Sequence, residues 1–146
     1  MNVNVHVRRS KLRRFFETEM ARVNGEIRDM CGDSYFFVRF SPHMLDRIID
    51  RQICEHKVMN LFTRFAEHIP EIKEYLSLPD LPDGVDATHG DGFRPLRLEV
   101  TDGTLWVGMT VDKTHNEKER GLCCRMIIEN SNRLEGKTST KVIRVH

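Results

Sequence analysis

No stretch of this sequence approaches the roughly 20 consecutive apolar residues that a membrane-spanning helix needs. The N-terminal run MNVNVHVRRSKLRR lacks the apolar core of a secretory signal. A soluble, non-secreted protein with no membrane partner is expected. Cysteine is sparse. Cys31, Cys54, Cys123 and Cys124 form no C-x-x-C pair, so neither a zinc knuckle nor a redox dithiol is spelled out, and reduced thiols are expected. The seven histidines are scattered, with no H-x-x-x-H or H-E-x-x-H pattern. Gly84, Gly90 and Gly92 make neither a Walker loop nor a dinucleotide fingerprint. No metal site or cofactor is therefore expected.

What is present suits one domain over residues 1–146, with 39% hydrophobic and 31% charged residues. The net charge of +1 hides an uneven distribution. Arg8, Arg9, Lys11, Arg13 and Arg14 crowd one segment, while Asp80, Asp83, Asp86 and Asp91 share a later loop. The basic cluster fits a phosphate-binding footprint, and equally a solvated helix start.

Val3, Val5 and Val7 alternate with polar residues, which predicts a short strand. Ser10 then caps a helix to about Met30, with Leu12, Phe15, Phe16, Met20, Val23 and Ile27 on one face. Gly32 ends it, and Tyr35–Phe40 reads as a strand. Ser41-Pro42 opens a second helix through residue 53, whose polar face carries His43, Asp46, Arg47, Asp50 and Arg51. A third spans roughly 56–68, with His56, Asn60, Thr63 and Glu67 outward and Pro70 just beyond its end. The longest loop runs from Pro79 to Pro95. LRLEV and LWVGMTV flank Asp102-Gly103, the pair suited to a type I′ hairpin turn. CCRMIIEN and TKVIRVH add strands, with loops around His115–Gly121 and Glu135–Lys137. The class is α+β, with N-terminal helices on one face of a C-terminal, four-stranded, mainly antiparallel sheet.

RNA is cut without metal when a base takes the 2′-OH proton and an acid protonates the leaving 5′-oxygen, leaving a 2′,3′-cyclic phosphate. Imidazoles, titrating near about pH 6.5, suit both roles, and a neighbouring guanidinium stabilises the phosphorane. His43 and Arg47 stand one turn apart on one exposed helical face. The same spacing serves a face of ordinary ion pairs. The acidic loop is more simply turn chemistry than a two-carboxylate metal site. Cys123 and Cys124 fall in a strand, where at least one should be buried and inert.

Six segments carry a wider likeness: RRSKLRRFFETE (8–19), NGEIR (24–28), SPHMLDRIIDRQI (41–53), FRPLRLEVTDGTLWVGMTV (93–111), CRMIIENSNRL (124–134) and GKTSTKVI (136–143). In their order and spacing the chain resembles the RegB endoribonucleases of T-even-type bacteriophages. The resemblance implies a fold similar to the RelE and YoeB toxin nucleases. It implies cleavage of early phage messenger RNA in GGAG-type motifs, without metal, in the cytoplasm of the infected bacterium. The ribosome or a small-subunit ribosomal protein is an implied stimulating partner.

By the same resemblance His43 matches the family's first catalytic histidine, and Arg47 matches an arginine tied to activity. Arg8, Arg9, Lys11, Arg13 and Arg14 match the basic start of the first helix, and Glu17 matches an acidic residue of that helix. Thr63 occupies the place of the second catalytic histidine, and threonine carries no proton at neutral pH. His68, His56 and Glu67, in that order, are the candidates to replace it, His68 because it sits at a helix end. Arg51, Phe93, Arg94 and Arg125 are further candidates for RNA contact, with Arg133 and Lys137 on the strand side. Trp106 is expected in the core of a sheet face rather than as a stacking platform. Two rival functions stand beside the endoribonuclease. One is a RelE-like toxin that needs the ribosome, the other an RNA-binding translational repressor.

Overall fold

The computed structural model describes residues 3–32, 34–82, 84, 92–112, 119–133 and 139–145, apart from the side chains of Val3 and Val5. Asp83, Asp86 and Asp91 of the acidic loop, most of the His115–Gly121 loop and Lys137 lie outside them. The first helix, α1 (Val3–Cys31), starts seven residues before Ser10. The expected strand at Val3–Val7 is thus its first turns. Among the described residues no strand pairs with this segment, and the Arg/Lys-rich run after it favours helix, so alternation alone does not hold it extended. Leu12, Phe16, Met20, Val23, Ile27 and Cys31 form its buried stripe. Gly32, at φ +76°, ends it in the left-handed conformation that glycine adopts without a Cβ clash.

Strand β1 (Tyr35–Phe40) leads into α2 (Pro42–Asp50). The Ser41 hydroxyl accepts from the N–H of Met44 at 3.3 Å, and Pro42 fills the first turn. The helix stops three residues earlier than the spacing suggests. Gln52 takes φ +53°, and Ile53 N–H bonds back to Ile48 O, a Schellman closure with both isoleucines buried. Helix α3 (Glu55–Phe65) buries Val58, Met59, Leu61, Phe62 and Phe65. A helix unforeseen from the spacing follows at once, α4 (Ile69–Ser77). Pro70 belongs to its first turn, and Ile72 and Tyr75 are its buried side.

Four more strands complete the sheet: β2 (Arg97–Thr101), β3 (Leu105–Val111), β4 (Glu119–Glu129) and β5 (Thr140–Arg144). The order is β1-β4-β3-β2-β5. Five strands, not four, make it, and the sheet is mixed. β1 joins β4 in parallel and β5 joins β2 in parallel, while only β4-β3-β2 is antiparallel. The parallel pairs arise because both edge strands are reached by long excursions rather than by hairpin turns. The β2–β3 turn also departs from type I′. Gly103 has φ +101°, but Asp102 does not enter the positive-φ region. Its carboxylate instead accepts from the N–H groups of Thr104 and Leu105 at 2.9 and 2.8 Å.

Phe36 and Val38, Leu98 and Val100, Val107 and Met109, Leu122 and Cys124, and Ile143 turn to the helices and form the core with them. At the β1 edge, Asn24 of α1 donates to Val38 O and accepts from Val38 N–H, both at 2.8 Å, so a side chain pairs the free strand edge. Among the described residues, no helix is long and apolar enough to cross a membrane.

Candidate functional site

The amphipathic pattern of α2 buries Met44, Leu45 and Ile48, which leaves His43, Arg47 and Asp50 on the solvent ridge. Among the described residues the side chains of His43 and Arg47 have neither hydrogen-bond nor ion-pair partner. Asp46, one turn after His43, holds Arg9 of α1 at 3.2 Å. The basic residues Arg8, Arg9, Lys11, Arg13 and Arg14 of α1 are all exposed, and Arg13 pairs with Glu17 at 3.0 Å. One basic surface therefore joins the start of α1 to the ridge of α2.

Four contacts set the register of the helices. Arg9–Asp46 and Phe16–Phe40 run α1 antiparallel to the β1–α2 segment. Phe15–His56 and Arg22–Thr63 run it parallel to α3. His43, between Phe40 and Asp46, thus lies level with the Arg9–Phe16 stretch, and so does His56. Thr63 is seven residues further along α3, about 10 Å. Glu67 and His68 lie beyond it. Around α1, Arg9 and Phe15 are about 120° apart, with the core residues Leu12 and Phe16 filling the space between. His43 and His56 are thus level with each other, reached from directions about 120° apart around α1. Glu17 is about 80° from Arg9 and 160° from Phe15.

The sequence candidates divide accordingly. His56 meets the ring of Phe15 edge-on at 5.0 Å. Phe15 in turn lines a cavity of about 400 Å³ with Arg8, Lys11, Ile48 and Glu55. His68 is the N-cap residue of α4, 30% exposed and 3.8 Å from Glu71. Glu67 is exposed. The Thr63 hydroxyl donates to Met59 O at 3.0 Å and accepts from Arg22 at 3.2 Å. Arg51 donates to Ile127 O of β4 at 2.6 Å. Phe93 is half-buried, and Arg94 turns inward to Asp80 and Leu78 O, remote from α2.

The sheet face turned away from the helices carries a second group of arginines. Arg125 is the additional residue of a bulge opposite Gly108/Met109 and donates to Thr110 at 2.6 Å. Arg39 grips Asp112 with two 2.7 Å bonds, which hold the Asp112 carboxyl below its usual range despite partial burial. Trp106 is buried beneath Arg133 and Arg144, whose guanidiniums lie 4.9 and 5.5 Å from its ring, so neither ring face is open to a base. Arg133 also pairs with Glu99, which is 1% exposed. Arg39, Arg97 and Arg144 were missed as members of this face. Strict alternation in YFFVRF, RLEVT and TKVIR is the signal that locates them.

Cys31, Cys123 and Cys124 are buried and unpaired, and burial pushes the Cys124 thiol well up, which suits packing rather than nucleophilic chemistry. Among the described residues no cluster of His, Cys, Asp and Glu could hold a metal ion.

A family model described as "T4-page Endoribonuclease RegB" matches residues 1–144. The chain is 47% identical to Endoribonuclease RegB of Enterobacteria phage T4, over 99% of this chain and 97% of that protein. The chain belongs to the RegB endoribonuclease family. A solution structure of the phage T4 endoribonuclease RegB is similar over the whole of both chains, with a TM-score of 0.67 at 45% identity. Thr63, expected where the family has its second histidine, is committed to Arg22 and Met59. Of the three candidate replacements His56 is level with His43, while Glu67 and His68 lie beyond Thr63.

Proposed function

We propose that the chain is a metal-independent endoribonuclease that cuts early phage messenger RNA within GGAG-type motifs. Cutting there removes ribosome-binding sites and silences translation initiation in the cytoplasm of the infected bacterium. The observation that carries this reading is the α2 ridge: His43 and Arg47 are exposed, one turn apart and without side-chain partners among the described residues, with Arg9 held to Asp46 on the same helix. In the reaction a base removes the 2′-OH proton, the 2′-oxygen attacks phosphorus, and the P–O5′ bond breaks as the 5′-oxygen gains a proton. The products are a 2′,3′-cyclic phosphate and a 5′-OH. His43 is one proton carrier, and Arg47 with Arg9 neutralises the phosphorane.

The second carrier belongs on the same side of α1. Glu17, tied to Arg13 and about 80° around α1 from Arg9, is the proposed carrier, being nearer the direction of Arg9 than His56, which packs on Phe15. RNA enters along the exposed basic half of α1, where Arg8, Lys11, Arg13 and Arg14 hold the backbone by charge.

The test is incubation of the purified protein with a short GGAG-containing RNA in excess chelator, with and without ribosomes, and with the 3′ ends of the products analysed. Cleavage of free RNA to a cyclic phosphate is expected. A requirement for divalent metal overturns the mechanism, and cleavage only on ribosomes favours a RelE-like toxin. The closure of Thr63 by Arg22 is the one observation favouring a repressor, for which the result is retardation of RNA without cleavage.

A further inference from the structure

At the opposite end of β1 from His43 lies a cavity of about 570 Å³, bordered by Tyr35, Lys73, Ser77, Asp80, Arg94 and Arg120. Three cations and one carboxylate face it. Each of the cations but one is accounted for. Lys73 donates to Cys31 O at 3.0 Å. Arg94 has Asp80 and the carbonyl of Leu78 at the end of α4. The Nε of Arg120 is buried and has no hydrogen-bond acceptor among the described residues. A buried guanidinium N–H without an acceptor is costly, and such exceptions call for an absent partner.

Arg94 and Arg120 also lie close enough to repel. Burial first, and then the charge of Arg120, hold the Arg94 pKa below its ordinary value. Asp80, 78% exposed, balances only one of the two guanidiniums. Two converging forks with an unspent donor match the tetrahedral oxygens of a phosphate, with Lys73 at the rim.

We propose that this cavity binds a phosphate group, held between Arg94 and Arg120. Five residue steps along the strand separate Tyr35 from Phe40, about 17 Å, so the bound phosphate is not the scissile one at His43. It belongs either to an RNA strand several nucleotides away from the cut or to a free nucleotide. The site does not depend on how RNA is cleaved, and its test reads binding alone, so its failure leaves the reading of His43 standing.

The test is titration of the ¹⁵N-labelled full chain with inorganic phosphate, with adenosine 5′-monophosphate, and with an all-deoxy oligonucleotide that cannot be cut. Amide shifts are expected at Ser34–Phe36 and Arg120–Leu122, and Arg120→Gln should weaken binding at least tenfold. Lys73→Gln, with a smaller loss expected, is the second variant should Arg120→Gln not fold. Tighter binding of the oligonucleotide, in competition with phosphate, assigns the site to the RNA strand. Binding of the mononucleotide without such competition assigns it to a free nucleotide, and both outcomes support a phosphate pocket. Absence of shifts at these amides with every phosphate compound, or shifts unchanged in both variants, overturns it. So does a response to an acidic peptide but not to phosphate.

Discussion

Arg22 donates to the hydroxyl of Thr63 at 3.2 Å while its remaining nitrogens hold Glu19 and Glu26 at 2.9 and 3.1 Å. The hydroxyl is thus locked into a contact between α1 and α3. Thr63→Ala removes a half-exposed hydrogen bond and is expected to cost no more than about 1 kcal/mol. It should leave the cleavage rate unchanged within about twofold, since threonine takes no proton. Denaturant melts and single-turnover cleavage check both numbers. A large loss of rate in Thr63→Ala would place Thr63 in the reaction after all.

The helix register separates the candidates for the second proton carrier. Glu17→Gln is expected to lower the rate by about 10²-fold or more with RNA binding retained. His68→Ala and Glu67→Gln should stay within a few-fold of wild type, being beyond Thr63 along α3. His56→Ala should act on RNA affinity more than on the rate, since it packs on Phe15, which lines the cavity of Arg8 and Lys11. A KM-against-kcat comparison of the four variants checks this ordering. A collapse of kcat in His68→Ala would restore the helix-end argument.

Much of this geometry was legible in the residues, for identifiable reasons. The stripe from Leu12 to Ile27 and the cap at Ser41 have short-range causes, side-chain period and hydrogen bonding within one turn. The ridge of His43 and Arg47 follows from them. Pro70 misled because proline is as natural in a first helical turn as after a last one. The Val3–Val7 alternation misled because a strand needs a partner that sequence spacing does not name. The parallel pairings of β1 and β5, the closure of Thr63 by Arg22 and the isolation of Arg94 from α2 are long-range. No local pattern encodes which element a side chain will meet.

Arg133 offers a test of structure against RNA contact. Its partner Glu99 is almost wholly buried, so Arg133→Met strands a buried charge and is expected to cost about 3–5 kcal/mol. Adding Glu99→Gln should recover much of that loss. The double variant should cut RNA normally if Arg133 serves only the sheet face. Denaturant melts and cleavage of the same samples measure both, and a persistent loss of RNA affinity in the stable double variant would place Arg133 in the interface.

The Arg39–Asp112 pair predicts the acid side of the stability curve. The guanidinium holds the Asp112 carboxyl below its ordinary value of 3.8. A depressed carboxyl pKa contributes stability that is fully present above the unfolded value and is lost as pH falls through the folded one. The Tm difference between wild type and Asp112→Asn should therefore be constant from about pH 5 to 7 and shrink below about pH 4. A difference that stays constant into the acid range would show that the pair does not titrate with folding.

The most direct test of the central claim is single-turnover cleavage of a GGAG-containing RNA by His43→Ala, in excess chelator, alongside its melting temperature. The expected result is a rate lower by about 10²-fold or more with the melting temperature nearly unchanged, because His43 is exposed and without a partner among the described residues. Near-wild-type cleavage by that variant would contradict the assignment of His43.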